Sequence, residues 1–138
     1  MSTPSPPRRA LALVAHDALK NDMVAFCEKH RASLSRCTLF ATGTTGGRIS
    51  AATGLPVECL LSGPMGGDAQ IGAMVATGRI QGLFFFTDPL TAHPHEPDVL
   101  GLLRLCNVHK VVVASNRATA ELLVGALTGE APLPTGAE

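Results

Sequence analysis

The chain has 138 residues, enough for one domain with a single core and too few for two. Eleven basic and eleven acidic residues cancel, which leaves no broad electrostatic footprint for nucleic acid or an anionic membrane. With 46% hydrophobic and only 16% charged residues, the composition is that of a buried, globular chain, and such low charge suits a protein that buries further surface in an oligomer.

Residues 1–9 are rich in Pro and Ser and read as a disordered leader before a domain over residues 10–128. Arg8-Arg9 resembles the start of a twin-arginine signal. The apolar run Ala10 to Ala15 meets His16-Asp17 after six residues, however, short of the roughly 7–15 that a signal requires. Such a continuous run is the pattern of a strand covered on both faces. A helix is expected from about Leu19 to Ser33, with Met23, Phe26 and Cys27 at i, i+3 and i+4. Thr38 to Ala41 reads as the second strand, followed by a Thr42-Gly43-Thr44-Thr45-Gly46 loop and a short helix from Arg48 to Thr53. Val57 to Leu61 is the third strand. It leads into Ser62-Gly63-Pro64-Met65-Gly66-Gly67-Asp68, where three glycines and a proline in seven residues mark a tight turn before a helix beginning near Ala69.

That helix carries Ile71, Met74 and Val75 on one face and stops near Gly78. Gly82 to Thr87 is the fourth strand. After a loop with three prolines, Val99, Leu102, Leu103 and Cys106 form an amphipathic stripe. Lys110 to Ser115 is the fifth strand, and Thr119, Leu122, Leu123 and Ala126 mark a last helix before a loose tail over residues 129–138. Five strands alternating with five helices predict a single-domain, three-layer (αβα), doubly wound sheet of five parallel strands. No segment approaches the roughly 20 apolar residues of a membrane span. Cys27, Cys37, Cys59 and Cys106 form no C-x-x-C pair and read as reduced thiols, so a soluble cytoplasmic protein is expected.

In such sheets, ligands bind outside the carboxyl ends of the strands. His16-Asp17, the Thr42–Gly46 loop, the Ser62–Asp68 loop, Asp88 and Ser115-Asn116 all fall there, which predicts one site on that edge. A strand, a glycine-rich turn and a helix together place backbone N–H groups around an anion. Asp68 reads either as a helix N-cap or, beside a phosphate grip that would repel an idle carboxylate, as a general base. The Thr42–Gly46 loop reads either as an ordinary turn with a Thr cap or as a second phosphate grip. No Lys follows its glycines, so it is not a Walker loop; Lys20 and Arg48 are the candidate cations.

His93-Pro94-His95-Glu96-Pro97-Asp98 allows a metal reading through His93, His95 and Asp98. In a second reading His95 is a hydrogen-bond donor or proton shuttle, with Asp98 a nearby carboxylate or helix cap. His30 and His109 are expected to take no part. A phosphate grip, several carboxylates, two histidines and no cofactor motif fit proton abstraction beside a carbonyl in a small phosphorylated substrate.

The ordered segments Ala12–Asp17, Ala41–Gly46, Leu61–Asp68, Phe86–Leu90 and Pro94–Asp98 resemble the methylglyoxal synthase family, in order over nearly the whole chain. The resemblance implies a flavodoxin-like fold and a cofactor-free, metal-free lyase. It would convert dihydroxyacetone phosphate to methylglyoxal and inorganic phosphate, in a bypass of glycolysis, as a cytoplasmic homohexamer with phosphate as product and possible inhibitor. It implies Asp68 as the base, His95 as donor to the carbonyl and enediolate oxygens, and His16 as a substrate-binding proton carrier. Lys20, Thr42, Gly43, Thr44, Thr45, Ser62 and Gly63 would hold the phosphate and the rest of the substrate. Asp98 falls in the catalytic set, and Asp17 and Asp88 would support the site electrostatically. The family carries a C-terminal arginine that resembles a phosphate ligand for a neighbouring subunit. Here nothing after Arg117 is basic, and Arg48 is the expected substitute. The alternative is a non-catalytic regulatory domain of the same fold that binds phosphometabolites, as in carbamoyl phosphate synthetase.

Overall fold

Strand β1 (Ala10–Ala15) lies at the centre of the sheet and is buried along its whole length, as its unbroken apolar run requires. The computed structural model of the chain describes residues 8–91 and 96–129. Four further strands flank β1: β2 (Thr38–Thr42), β3 (Glu58–Leu60), β4 (Gly82–Phe86) and β5 (Val112–Ala114). All pairings are parallel, in the order β3-β2-β1-β4-β5, with Leu13 opposite both Ala41 and Phe84. The chain thus winds one way from β1 to β3 and the other way from β4 to β5, leaving β1 and β4 as the switch point. The expected three-layer, doubly wound architecture is the one observed.

The helices are α1 (Lys20–Lys29), α2 (Arg31–Leu34), α3 (Gly43–Thr53), α4 (Gly67–Ala76), α5 (Glu96–Val108) and α6 (Arg117–Thr128). Side chains alternate across a strand, so the apolar strands supply two cores. Leu11, Leu13, Phe84 and Phe86 meet Phe26 of α1, Ile49 of α3 and Val124 of α6 on one face. Ala12, Val14, Leu83 and Phe85 meet Ile71 of α4 and Leu102 of α5 on the other. Among the described residues, no helix is long and apolar enough to cross a membrane. All four cysteines are free thiols, and burial pushes Cys27 up to about 12 and Cys106 to about 11, which leaves those two unreactive.

Several local expectations differ from the structure. The helix expected over 19–33 is split at His30, whose ring packs on Phe26 with centroids 4.8 Å apart and bonds Glu121 of α6. Glu121 also meets Lys29 and Arg117, and Arg117 reaches Asp22 at 2.8 Å, so a charged cluster joins α1 to α6. These partners, His30 foremost, lower the Glu121 carboxyl to about 2. The edge strands β3 and β5 are shorter than expected because each has a single neighbour to pair with. The segment expected as a Thr42–Gly46 loop is the first turn of α3, since Gly43, at φ 56°, lets β2 turn directly into the helix. Arg8 donates to the Ser35 and Cys37 carbonyls, and Arg9 to those of Ala126, Leu127 and Gly129 at the end of α6.

One close approach sets the position of α4. A Cβ added at Gly67 would stand 2.0 Å from the Leu61 carbonyl oxygen and 2.9 Å from Thr42 Cγ2. Gly47, in α3, has nothing within 4 Å of its own added Cβ. Gly67→Ala should therefore cost about 3 kcal/mol as overpacking against rigid backbone. Gly47→Ala should be neutral or stabilise by up to about 1 kcal/mol. Paired thermal or urea melts check this, and equal stability of the two variants would contradict it.

Candidate active site

The carboxyl edge of the sheet opens into a cavity of about 510 Å³, walled by residues from the ends of β1 to β4. His16, Asp17 and Lys20 come from the turn after β1, Thr42 to Thr45 from the β2–α3 junction, Ser62, Gly63 and Asp68 from the β3–α4 junction, and Asp88 and Thr91 from the segment after β4. Eleven of the expected residues thus share one cavity: His16, Asp17, Lys20, Thr42, Gly43, Thr44, Thr45, Ser62, Gly63, Asp68 and Asp88.

One wall attracts anions. Helix α3 begins at Gly43 with Thr42 as N-cap, and the Thr42 side chain makes no capping bond, so the positive end of an eleven-residue helix faces the cavity. Lys20 Nζ stands 3.0 Å from Thr44 Oγ1 and 2.9 Å from Asp17 Oδ1. The Asp17 side chain is 96% exposed, so that ion pair is weak and leaves the ammonium available to a stronger anion.

The neighbouring β3–α4 junction carries the base candidate. Asp68 is not the N-cap of α4: Gly66, at φ 113°, holds that position and Asp68 follows Gly67 in the first turn. The tight turn expected between β3 and α4 is a short 3-10 turn over Gly63–Met65, which presents Gly63 and Pro64 to the cavity. Asp68 is only 5% exposed, and its Oδ2 is shut off from solvent. The start of α4 favours its negative charge, while burial removes the water that would otherwise hydrate a base.

His16 is fixed by the far side of the switch point. The Asp88 backbone N–H donates to His16 Nδ1 at 2.8 Å. A nitrogen that accepts carries no proton, so the neutral ring bears its hydrogen on Nε2, itself buried. Asp88 thus meets His16 through its backbone, while its carboxylate accepts from the Leu90 N–H at 3.0 Å.

Some expected members lie elsewhere. Ser115 and Asn116 do not wall the cavity: the Ser115 carbonyl accepts from Thr87, and Asn116 caps α6 by accepting from the Thr119 N–H. Arg48 is bonded to Asn21 of α1 and is absent from the wall, so its expected role as a substitute phosphate ligand has no support in its position. His93 and His95 lie outside the described residues. Asp98 lies in the first turn of α5, and its side chain is also outside them. Among the described residues, no three His, Cys, Asp or Glu side chains cluster as a metal site would require.

Residues 22–115 match the family model described as the MGS-like domain. A methylglyoxal synthase of Thermus thermophilus is 60% identical over 116 residues, 84% of this chain and 92% of that protein. That of Ralstonia nicotianae is 53% identical over 129 residues, 94% of this chain and 96% of that protein. The chain belongs to the methylglyoxal synthase family. A crystal structure of methylglyoxal synthase from Elizabethkingia anophelis has the same fold, with a TM-score of 0.80 at 38% identity over 91% of this chain and 93% of that one.

The sequence does not point to six residues of the wall: Val14, Ala15, Ala18, Pro64, Phe85 and Thr91. Phe85 reads only as core, and nothing in a run of three phenylalanines distinguishes the one that meets a cavity. Thr91 lies in the loop after Pro89, whose path no periodicity fixes. The position of Lys20 between Thr44 and Asp17 makes it the candidate cation of the anion wall. Replacing it as Lys20→Met should weaken inorganic phosphate binding by about 10- to 100-fold, the scale of a lost charged hydrogen bond. Titration calorimetry with phosphate would contradict this assignment if the two proteins bound equally.

Proposed function

We propose that the chain is a carbon–oxygen lyase that converts dihydroxyacetone phosphate to methylglyoxal and inorganic phosphate. The observation that carries this reading is a buried carboxylate, Asp68, in the same cavity as the anion-attracting start of α3. Binding alone has no use for that carboxylate, because it repels the phosphate it would sit beside.

In the proposed reaction, the phosphate rests on the N–H groups and hydroxyls of Gly43, Thr44 and Thr45, with Lys20 as counter-charge and Ser62 and Gly63 closing the other side. Thr42 shapes the same wall. Asp68 removes a proton from the hydroxymethyl carbon and an enediolate forms. Electrons from that enediolate then expel phosphate, breaking its bond to carbon and leaving the enol of methylglyoxal. Protonation of the terminal carbon completes the product. His95, by family resemblance, donates to the carbonyl oxygen, and Asp98 belongs to the same catalytic group. His16, with hydrogen on Nε2, binds the substrate and passes protons between its oxygens. Asp17, paired with Lys20, and Asp88, whose backbone N–H meets His16, take supporting roles in this reading.

The branch between isomerisation and elimination depends on the angle of the carbon–oxygen bond to phosphate. Overlap with the enediolate π system requires that bond to stand out of the enediolate plane. The Thr and Ser groups of the anion wall, set to one side of Asp68, would hold it there. The same reading includes a cytoplasmic homohexamer working in a bypass of glycolysis, with inorganic phosphate as product and inhibitor.

The test is a product assay. Purified protein, dihydroxyacetone phosphate and a chelator are combined, and methylglyoxal and phosphate are quantified against a protein-free control, since the free substrate decomposes slowly by itself. Equal release of both products above the control, unaffected by chelator, is expected. Phosphate-compound binding with no turnover would overturn the lyase in favour of a regulatory domain, and loss of activity with chelator would restore the metal reading.

A further inference from the structure

Phe85 belongs to two places at once. It is 1% exposed and packs among Ile71, Val99 and Leu102 in the core beneath α4 and α5, yet it also walls the cavity. Strand register explains the double membership. Val14 lies opposite Phe85 and Ala15 opposite Phe86, and the His16 N–H donates to the Phe86 carbonyl at 3.1 Å, extending the ladder by one residue. Side chains two apart share a face, so His16 follows Val14 onto the Phe85 side. The position directly across from His16 is Thr87, whose hydroxyl is turned away onto the Ser115 carbonyl. The imidazole therefore meets the ring one step back, with centroids 5.2 Å apart and planes at 74°, an edge-to-face contact.

An imidazole needs two restraints to present one chosen nitrogen. The Asp88 amide selects which nitrogen accepts, and so which way the ring is flipped. It does not fix the tilt about the hydrogen bond. Phe85, from the same strand end, supplies the second restraint.

We propose that Phe85 is a positioning residue for the reaction, holding His16 in the one ring tilt that keeps the Asp88 amide bond, and with it the Nε2–H tautomer, in place. This rests on the lyase reading above. Phe85 touches no reacting atom; it acts through His16.

Phe84 is the matched control: it is the adjacent residue of β4, is also fully buried, and packs on Phe26 of α1 on the opposite face, away from His16. Phe85→Leu and Phe84→Leu should lower the melting temperature to similar extents. Phe85→Leu alone should lower kcat by about tenfold or more, the scale of a misplaced catalytic group. Its KM should change by less than its kcat, because the phosphate contacts of Lys20, Gly43, Thr44 and Thr45 are left in place. Nitrogen-15 spectra of the imidazoles should show His16 with its hydrogen on Nε2 in the parent and a mixture of tautomers in Phe85→Leu. Phe85→Met takes its place if the Leu variant does not fold. Support requires both the kcat loss and the spectral change. An unchanged His16 spectrum, an unchanged kcat, or equal kcat losses in the two Leu variants would overturn the proposal. A parent protein that makes no methylglyoxal would defeat the lyase reading instead, and the spectrum would still report whether Phe85 holds the ring.

Discussion

The start of α4 lies so close to the end of β3 that a methyl group on Gly67 would overlap the Leu61 carbonyl oxygen, at 2.0 Å. Gly66, at φ 113°, makes the turn into that approach, and Gly67 is the residue that survives it. The consequence is chemical. Asp68, next in sequence, is carried under the Ser62–Gly63 turn and buried against the cavity that the start of α3 also faces. A helix start set even a side chain's width further out would leave its carboxylate in solvent.

That arrangement places opposite charge requirements within one cavity. The wall formed by α3 and Lys20 is suited to an anion, while Asp68 and the Asp17 and Asp88 side chains repel one. The two demands meet at neighbouring junctions: the start of α3 and Lys20 supply the attraction, while the carboxylates follow β1, β3 and β4. The main-chain restraint on His16 eases the conflict, because a neutral imidazole adds a donor without adding a further charge.

Much of this is legible in the sequence, for reasons that differ from residue to residue. Central strands declare themselves by unbroken apolar runs, so the bounds of Ala10–Ala15 are readable to the residue. The carboxyl-edge rule then gathers His16, the Thr42–Thr45 group, Ser62, Asp68 and Asp88 without reference to any one motif. It also gathers Ser115-Asn116 wrongly, because a helix cap and a ligand group have the same composition, and Asn116 caps α6. Glycines mislead in both directions. In Gly43-Thr44-Thr45-Gly46 they suggest a loop where a helix begins, and in Gly66-Gly67 they hide an N-terminus two residues early, with Asp68 inside it. Glycine marks the need for an unusual angle or a close approach, and composition does not say which. The Phe85 contact is invisible because it depends on register between β1 and β4, a pairing between strands that lie far apart in sequence.

The central claim is that Asp68 is a base and not a structural carboxylate. Asp68→Asn tests it most directly, since the amide keeps the shape and removes both the charge and the proton acceptor. The variant is predicted to fold, to bind inorganic phosphate at least as tightly as the parent because a repelling charge is gone, and to lose turnover by about a thousandfold or more, within the range of general acid–base contributions. Turnover near that of the parent, or phosphate binding weakened in step with turnover, would contradict it.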